Sequence, residues 1–256
     1  MFDVQMGVAG DMFLGSLTDL AISTGRTDKK ELVEVLEKSA VGMGKVRVDI
    51  LREKVSGIGA TGIMVTSKRK RGHHVKGREM KKYLEEGCTA VELGGASRKY
   101  AHKVLEHVLR AESKIHASTP EELHLHETGA PDTLVEIIGS GFLLERLDGL
   151  SDDFRFFSTP ISVGMGSIEI SHGVVPIPAP ATMEILKDMP FKFGPLRGEL
   201  ATPTGVSLLK ALAPEFVTNF SGLRITPMEI GYGFGKRKYD GRLLNVVRAI
   251  SCTVSE

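Results

Sequence analysis

The apolar residues change period several times along the chain, and each change marks a predicted element. Met12, Phe13, Leu14, Leu17, Leu20 and Ala21 recur at helical spacing just after Gly7, Gly10 and Asp11. That order predicts a short strand, a glycine turn and a helix. Asp28 stands where its side chain can cap a second helix, with Leu32, Val33, Val35 and Leu36 as the buried side. From Lys45 to Lys68 the period falls to two, through Val46, Val48 and Ile50 and then Ile63 and Val65, with Gly57, Gly59 and Gly62 between them. This predicts a hairpin. The next stretch, Lys68-Arg69-Lys70-Arg71-Gly72-His73-His74-Val75-Lys76, has no apolar period and is expected to be an exposed, mobile loop. Helical spacing returns through Met80, Tyr83 and Leu84. A longer helix is expected from near Ser97, with Ala101, Val104, Leu105, Val108 and Leu109 as its stripe and His102 and His107 beside it.

Leu123 to Leu125 reads as extended. Pro131 suits the first turn of a following helix whose core face is Leu134, Val135, Ile138, Phe142 and Leu143. Strand-like residues follow at Phe156, Ile161, Val163, Ile168 and Ile170, and Pro176, Pro178 and Pro180 form a stiff, extended run. A short helix should start at Pro180, and another at Pro203 with Thr202 as its cap. The last two strands are expected at Leu223–Ile230 and Leu243–Ile250, joined through Gly231-Tyr232-Gly233-Phe234-Gly235. Strands and helices mix without a βαβ rhythm, so the expected fold is α+β. It is read as a single compact unit over residues 1–256, with a histidine-bearing mobile loop and no internal boundary.

Composition narrows the function classes. Lys plus Arg total 33 against 32 Asp plus Glu, a net charge of +1, which gives no general attraction to nucleic acid or an anionic membrane. The two cysteines, Cys88 and Cys252, form no CxxC pair, so neither a zinc ribbon nor a disulfide framework is implied. Reduced thiols fit a cytoplasmic location. No apolar run approaches the roughly 20 residues that a membrane helix needs, and no signal peptide is visible at Met1.

The candidate chemistry begins with His124-Leu125-His126-Glu127. On an extended segment, residues two apart face the same way, about 7 Å from each other, so two imidazoles can converge on one metal. Asp132, in the first turn of the next helix, can turn back toward the pair. Imidazole and carboxylate suit nickel, zinc, manganese or iron, and spacing alone does not choose among them. An exposed polar strand end would show the same pattern. His73 and His74 are capture ligands if their loop moves, or simply solvated. His172 lies in Ser171-His172-Gly173, where a lone histidine is usually structural. Two segments suit an anion. Gly7-Val8-Ala9-Gly10-Asp11 puts small residues before a helix, and Thr202-Pro203-Thr204-Gly205 offers hydroxyls at another helix start. An ordinary cap would read the same way.

Taken together, these segments resemble the LarC-type nickel insertion family. The opening Phe2-Asp3 through Gly10-Asp11-Met12 is similar to that family's Asp–Gly–Ser–Gly–Asp–Met stretch, and the basic loop resembles its His-rich loop. His124-Leu125-His126-Glu127-Thr128-Gly129-Ala130-Pro131-Asp132 resembles its His-x-His-Glu-x-Gly-Ala-x-Asp signature. His172-Gly173 with the proline run, Glu199 through Gly205, and Gly231-Tyr232-Gly233 complete a series whose order holds over almost the whole chain. There are departures. Val4, Gln5 and Met6 replace small or polar residues, the loop carries fewer histidines, and Glu136 stands where an aspartate is common.

The resemblance implies insertion of nickel into pyridinium-3,5-bisthiocarboxylic acid mononucleotide, a nucleotide-type small-molecule substrate, with dependence on CTP and a divalent ion, magnesium or manganese. It implies metal ligands among His73, His74, His124, His126 and His172. Asp11, Glu127 and Asp132 are the implied catalytic groups, and Gly7, Gly10, Thr202, Thr204 and Gly205 the implied substrate-binding ones. Family members commonly carry a further C-terminal region associated with nucleotide binding, so a separate partner chain is expected, as is a homo-oligomer. Two other readings share the residues: a nickel-binding scaffold without catalysis, and a metal-dependent hydrolase using His124, His126 and Asp132. Binding of the apo-cofactor separates the first from insertion, and nucleotide cleavage without nickel transfer would mark the second.

Overall fold

The computed structural model describes residues 1–68, 75–126, 128–170, 173–194, 196–217, 224–237 and 244–255. Residues 69–74 of the expected mobile loop, with His73 and His74, lie outside the described residues, as do Glu127 and His172. The end of that stretch is not loop but a strand, Val75–Lys76, paired antiparallel with His124–Leu125 because Val75 is an apolar anchor and is buried.

The fold is α+β, as the alternation of periods predicts. Its main sheet has seven strands in the order Glu215–Phe216, Phe157–Ser158, Phe2–Asp3, Val247–Ser255, Arg224–Gly233, Ile58–Ser67 and Val46–Val55. The first three run parallel to one another; Phe2–Asp3 and Val247–Ser255 are antiparallel, as are Val247–Ser255 and Arg224–Gly233. The predicted hairpin spans Val46–Val55 and Ile58–Ser67, with Ser56 and Gly57 at φ 49° and 87° turning the chain. Positive φ at both turn positions matches the twist of the flanking strands.

Helix α1 (Gly10–Ser23) lies on the sheet, against Arg224–Gly233 and Ile58–Ser67. Helix α5 (Pro131–Arg146) packs behind α1 and also touches α2 (Lys29–Ser39), α3 (Gly77–Ala90), α4 (Gly95–Ile115) and α7 (Pro203–Ala211). The short helix α6 (Pro180–Ile185) sits against α4 and α7. Both α1 and α5 are buried on most sides, which is why their sequences are apolar nearly all round rather than striped. Phe13, Leu14, Leu17, Leu134, Val135 and Ile138 are at most 2% exposed. Burial of each such side chain is worth about 1.5–3 kcal/mol. The sheet is anchored to α1 by Phe2 stacked on Phe13 at 4.5 Å between ring centroids.

The glycines at the end of the chain correct one expectation. Gly231 and Gly233 do not form a turn; the strand runs on to Gly233. A Cβ at Gly231 would overlap the Ser16 carbonyl, and one at Gly233 the Met12 carbonyl. These residues are small because α1 lies on the sheet at backbone distance.

Candidate functional site

Three helix N-termini meet at one cleft. Gly7, at φ +101°, turns the chain so that Val8 N–H donates to the Leu200 carbonyl at 2.8 Å. Thr202 N–H donates back to the Val8 carbonyl at 3.0 Å. This short parallel bridge sets the start of α1 beside the start of α7. Gly205 fits under it because a Cβ there would overlap the Val8 carbonyl. The start of α5 closes the third side. The cleft, about 260 Å³, is lined by Gly10 and Asp11 of α1, Asp132 and Glu136 of α5, Thr202 and Thr204 at α7, and Lys236 and Arg237 beyond the sheet. Free N–H groups and the dipole make such ends favourable to an anion.

The carboxylates at these ends are already engaged. Asp11 accepts from the backbone N–H of Met12 and of Lys236, both at 2.8 Å. Asp132 accepts from Thr133 N–H at 3.1 Å and from Lys236 Nζ at 3.0 Å. Thr202 Oγ1 accepts from Gly205 N–H at 3.2 Å, the cap that the sequence predicts. Glu136, one turn beyond Asp132, folds its carboxyl over Gly10, where any Cβ would strike it. Burial pushes the Asp11 carboxyl up, against the pull of Lys236 and the Met12 N–H. Burial pushes Glu136 well above the usual carboxylate range, and the charges of Asp132 and Asp11 add to this. Burial draws the Lys236 ammonium down, but Asp132, Glu136 and Asp11 together raise it, so it stays charged.

These shifts fix the pH dependence of stability. Native Glu136 holds its proton more tightly than the unfolded chain does. Its stabilising contribution is therefore complete below the unfolded pKa, near 4.5, and is lost as pH rises through the higher folded pKa. Glu136→Gln removes that loss. The variant is expected to melt close to the parent at pH 4 and above it at pH 7. The gap widens with a slope of up to about 1.4 kcal/mol per pH unit. Thermal unfolding followed across pH 4–8 checks this; parallel curves for the two proteins would refute it.

A second, smaller lobe of about 70 Å³ adjoins the first and shares Glu112, Pro203 and Glu199 with it. It contains His116 and His126, whose ring centroids are 6.3 Å apart. His116 Nε2 stands 3.5 Å from Glu112 Oε2. Among the described residues, no three His, Cys, Asp or Glu side chains are already placed to hold a metal ion together.

The structure thus brings Gly10, Asp11, Asp132, Thr202 and Thr204 to one cleft and His126 to its side lobe. His124 and His126 both face outward on either side of buried Leu125, as alternation predicts, but His124 lines neither lobe. Gly7 and Gly205 act behind the wall, as spacers for the bridge. Glu127, His172, His73 and His74 lie outside the described residues. Sequence reasoning missed Glu112, His116, Glu136, Glu199, Lys236 and Arg237 as site residues. The one local signal was the four-residue step from Glu112 to His116, which puts both on one face of α4.

The residues 1–256 match the family model described as nickel insertion protein. The pyridinium-3,5-bisthiocarboxylic acid mononucleotide nickel insertion protein of Staphylococcus saprophyticus is 35% identical over 255 residues, covering 99% of this chain and 60% of that protein. The protein of the same name from Acetivibrio thermocellus is 32% identical, covering 97% of this chain and 59% of its own length. A putative nickel insertion protein of Methanosphaera stadtmanae is 30% identical over 95% of this chain and 58% of its own. The chain therefore spans about three fifths of the length of the curated relatives it matches. No solved structure matches it. Matched from end to end by that family model, the chain belongs to the nickel insertion protein family.

Proposed function

We propose that this chain inserts nickel into the pyridinium-3,5-bisthiocarboxylic acid mononucleotide, as a nickel chelatase or as the metal- and substrate-binding part of one. The observation that carries the reading is the shared wall: an anion-suited cleft opens beside a lobe with two imidazoles, and Glu112, Glu199 and Pro203 line both. In this reading the nucleotide phosphate lies at the start of α7, taking hydrogen bonds from Thr202, Thr204 and free backbone N–H groups, with Lys236 and Arg237 as counter-charges. Imidazole and carboxylate groups hold nickel as cargo, more weakly than the sulfur donors of the nucleotide, so transfer runs toward the substrate. Metallation displaces protons from the donor groups, and carboxylates such as Asp11 stand beside the substrate to receive them.

Glu127, His73, His74, His124 and His172 enter this proposal through the family resemblance, as does dependence on CTP with magnesium or manganese. A partner chain carrying the remainder of the relatives' length, a homo-oligomeric state and a cytoplasmic setting belong to it too. Both cysteines are free, which suits a reducing compartment. Among the described residues no helix is long and apolar enough to cross a membrane.

The test is incubation of the chain with nickel and the apo-mononucleotide, with and without CTP, followed by mass detection of the metallated product. The chain alone is expected to bind nickel and to yield product near background until the partner region is added. Full CTP-dependent insertion by this chain alone would sink the two-part arrangement.

A further inference from the structure

The wall of the cleft carries a polar atom that no hydrogen bond within the described residues satisfies. Asn245 lines the cleft together with Gly235 and Lys236. Its side-chain oxygen, Oδ1, is buried and has no hydrogen-bond partner. The other buried side-chain atoms in that condition belong to Thr18, His107, Ser113, Ser140 and Ser207, which lie on helices and line neither lobe. A buried acceptor left unpaired costs stability, so its place in a binding cleft asks for a donor from the ligand. The backbone around Asn245 is fixed. Val246 N–H donates to the Leu244 carbonyl at 3.2 Å, which closes a tight turn with Asn245 at its centre. Val246 and Val247 are buried, and Val247 pairs with Gly233 where the ladder of the last two strands ends. Just beyond that pair, Asn245 on one chain segment and Gly235 on the other both become walls of the cleft.

We propose that Asn245 accepts a hydrogen bond from a ribose hydroxyl of the mononucleotide, and so selects ribonucleotides over their deoxy counterparts. The proposal rests on the nucleotide-binding reading above. The chemistry of the ligand narrows the choice. Oδ1 of a carboxamide is an acceptor, so its partner must be a donor. In a pyridinium mononucleotide the ionised thiocarboxylates and phosphate only accept. The ring nitrogen is glycosylated and bears no hydrogen. The 2′- and 3′-hydroxyls of the ribose are the donors that remain. Position agrees with this. The ribose joins the phosphate to the pyridinium ring. With the phosphate at the start of α7 and the ring toward the side lobe, the sugar lies between them, in the cleft that Asn245 lines. The neighbouring carboxylates are already occupied: Asp11 accepts from Met12 N–H and Lys236 N–H, and Asp132 from Thr133 N–H and the Lys236 ammonium. A site that pairs a substrate hydroxyl with a buried polar group rejects the analogue that lacks it, because the polar group then stays unpaired.

The test uses the whole chain without nickel. The probe is pyridinium-3-carboxylic acid mononucleotide, with its 2′-deoxy and 3′-deoxy forms. Affinities are measured by calorimetry or equilibrium dialysis for the parent, Asn245→Leu and Asn245→Asp, and circular dichroism verifies that each variant is folded. The parent is expected to bind at least one deoxy form about 10-fold more weakly than the ribonucleotide. Asn245→Leu cannot accept a hydrogen bond. It should bind the ribonucleotide about 10-fold more weakly than the parent does and no longer distinguish the three probes. Asn245→Asp keeps an acceptor, so it should keep the preference for the hydroxyl even as its added charge lowers every affinity alike. Discrimination among the probes is a readout that a merely structural role would not move. Equal binding of the three by the parent would overturn the proposal even if Asn245→Leu failed to fold, and so would an undiminished preference in folded Asn245→Leu. Either result would leave the nucleotide cleft standing. A parent that binds none of the three would refute the nucleotide-site reading itself, and this assignment with it.

Discussion

Gly7→Ala is expected to destabilise the protein by about 4 kcal/mol, near the upper end of single-residue effects. Two costs add. Gly7 sits at φ +101°, a region that an L side chain enters only with strain of order 1–3 kcal/mol. Its Cβ would also overlap the backbone carbonyl of Leu200, which cannot rotate aside because it accepts from Val8 N–H. Overpacking of this kind costs about 1–3 kcal/mol more. Relief requires the bridge between Val8 and Ala201 to open, and that bridge aligns α1 with α7. The variant should therefore lose both stability and the shape of the cleft. Differential scanning calorimetry is expected to show a fall in Tm of roughly 8–16 °C for a chain of this size. A fall of less than 2 °C would mean that the bridge does not constrain the turn.

Lys236→Met is the second large effect, and it falls on binding rather than on folding. The ammonium is partly exposed, so its bond to Asp132 at 3.0 Å contributes only modestly to stability. In the cleft, however, it is a counter-charge among Asp11, Asp132 and Glu136. A charge-assisted bond to a phosphate is worth about 1.5–3 kcal/mol, so its loss should weaken binding of a pyridinium mononucleotide about 10- to 150-fold. Among the described residues, Arg237 is then the remaining side-chain counter-charge in the cleft, set against Asp132. Lys236→Arg should keep affinity within a few-fold, because the charge remains. Equilibrium dialysis with the three proteins decides the matter: equal affinity for the parent and Lys236→Met would place the phosphate elsewhere.

Much of the fold was legible because local rules and global packing agree. The Asp28 cap is present, accepting from Lys30 and Glu31 N–H at 2.8 and 2.9 Å. The hairpin follows its alternation, and Pro131 and Pro203 open their helices. The glycines were harder. Gly59, Gly62, Gly231 and Gly233 look like turn residues, yet they lie inside strands. At Gly62 a Cβ would overlap the Phe234 ring, and at Gly231 and Gly233 it would overlap the backbone of α1. Close approach and turn formation demand the same residue, and only the tertiary partner distinguishes them. The site was half legible for a related reason. Asp11, Asp132 and Thr202 sit at helix starts, which sequence can locate. Lys236 belongs to the cleft only because the sheet brings a distant segment to the start of α1, and nothing in its immediate neighbours signals it. Glu136 and Glu199 lie beside Asp132 and Thr202, but that they face the cleft is set by α5 and the bridge to Val8. His124 shows the opposite limit. Its two-residue spacing from His126 places both side chains on one face, but the lobe reaches only His126.

The central claim is that the imidazole lobe delivers nickel to a mononucleotide held in the adjoining cleft. The most direct measurement uses the chain together with the C-terminal region of the Staphylococcus saprophyticus relative, supplied with nickel, CTP, magnesium and the apo-mononucleotide. The metallated product is quantified by mass for the parent and for His126→Ala. The parent is expected to convert the apo-mononucleotide to its nickel form. His126→Ala should fall at least about 10-fold below it while binding the nucleotide as tightly. Equal yields from the two proteins, or a parent that binds nickel and nucleotide yet never joins them, would contradict the account.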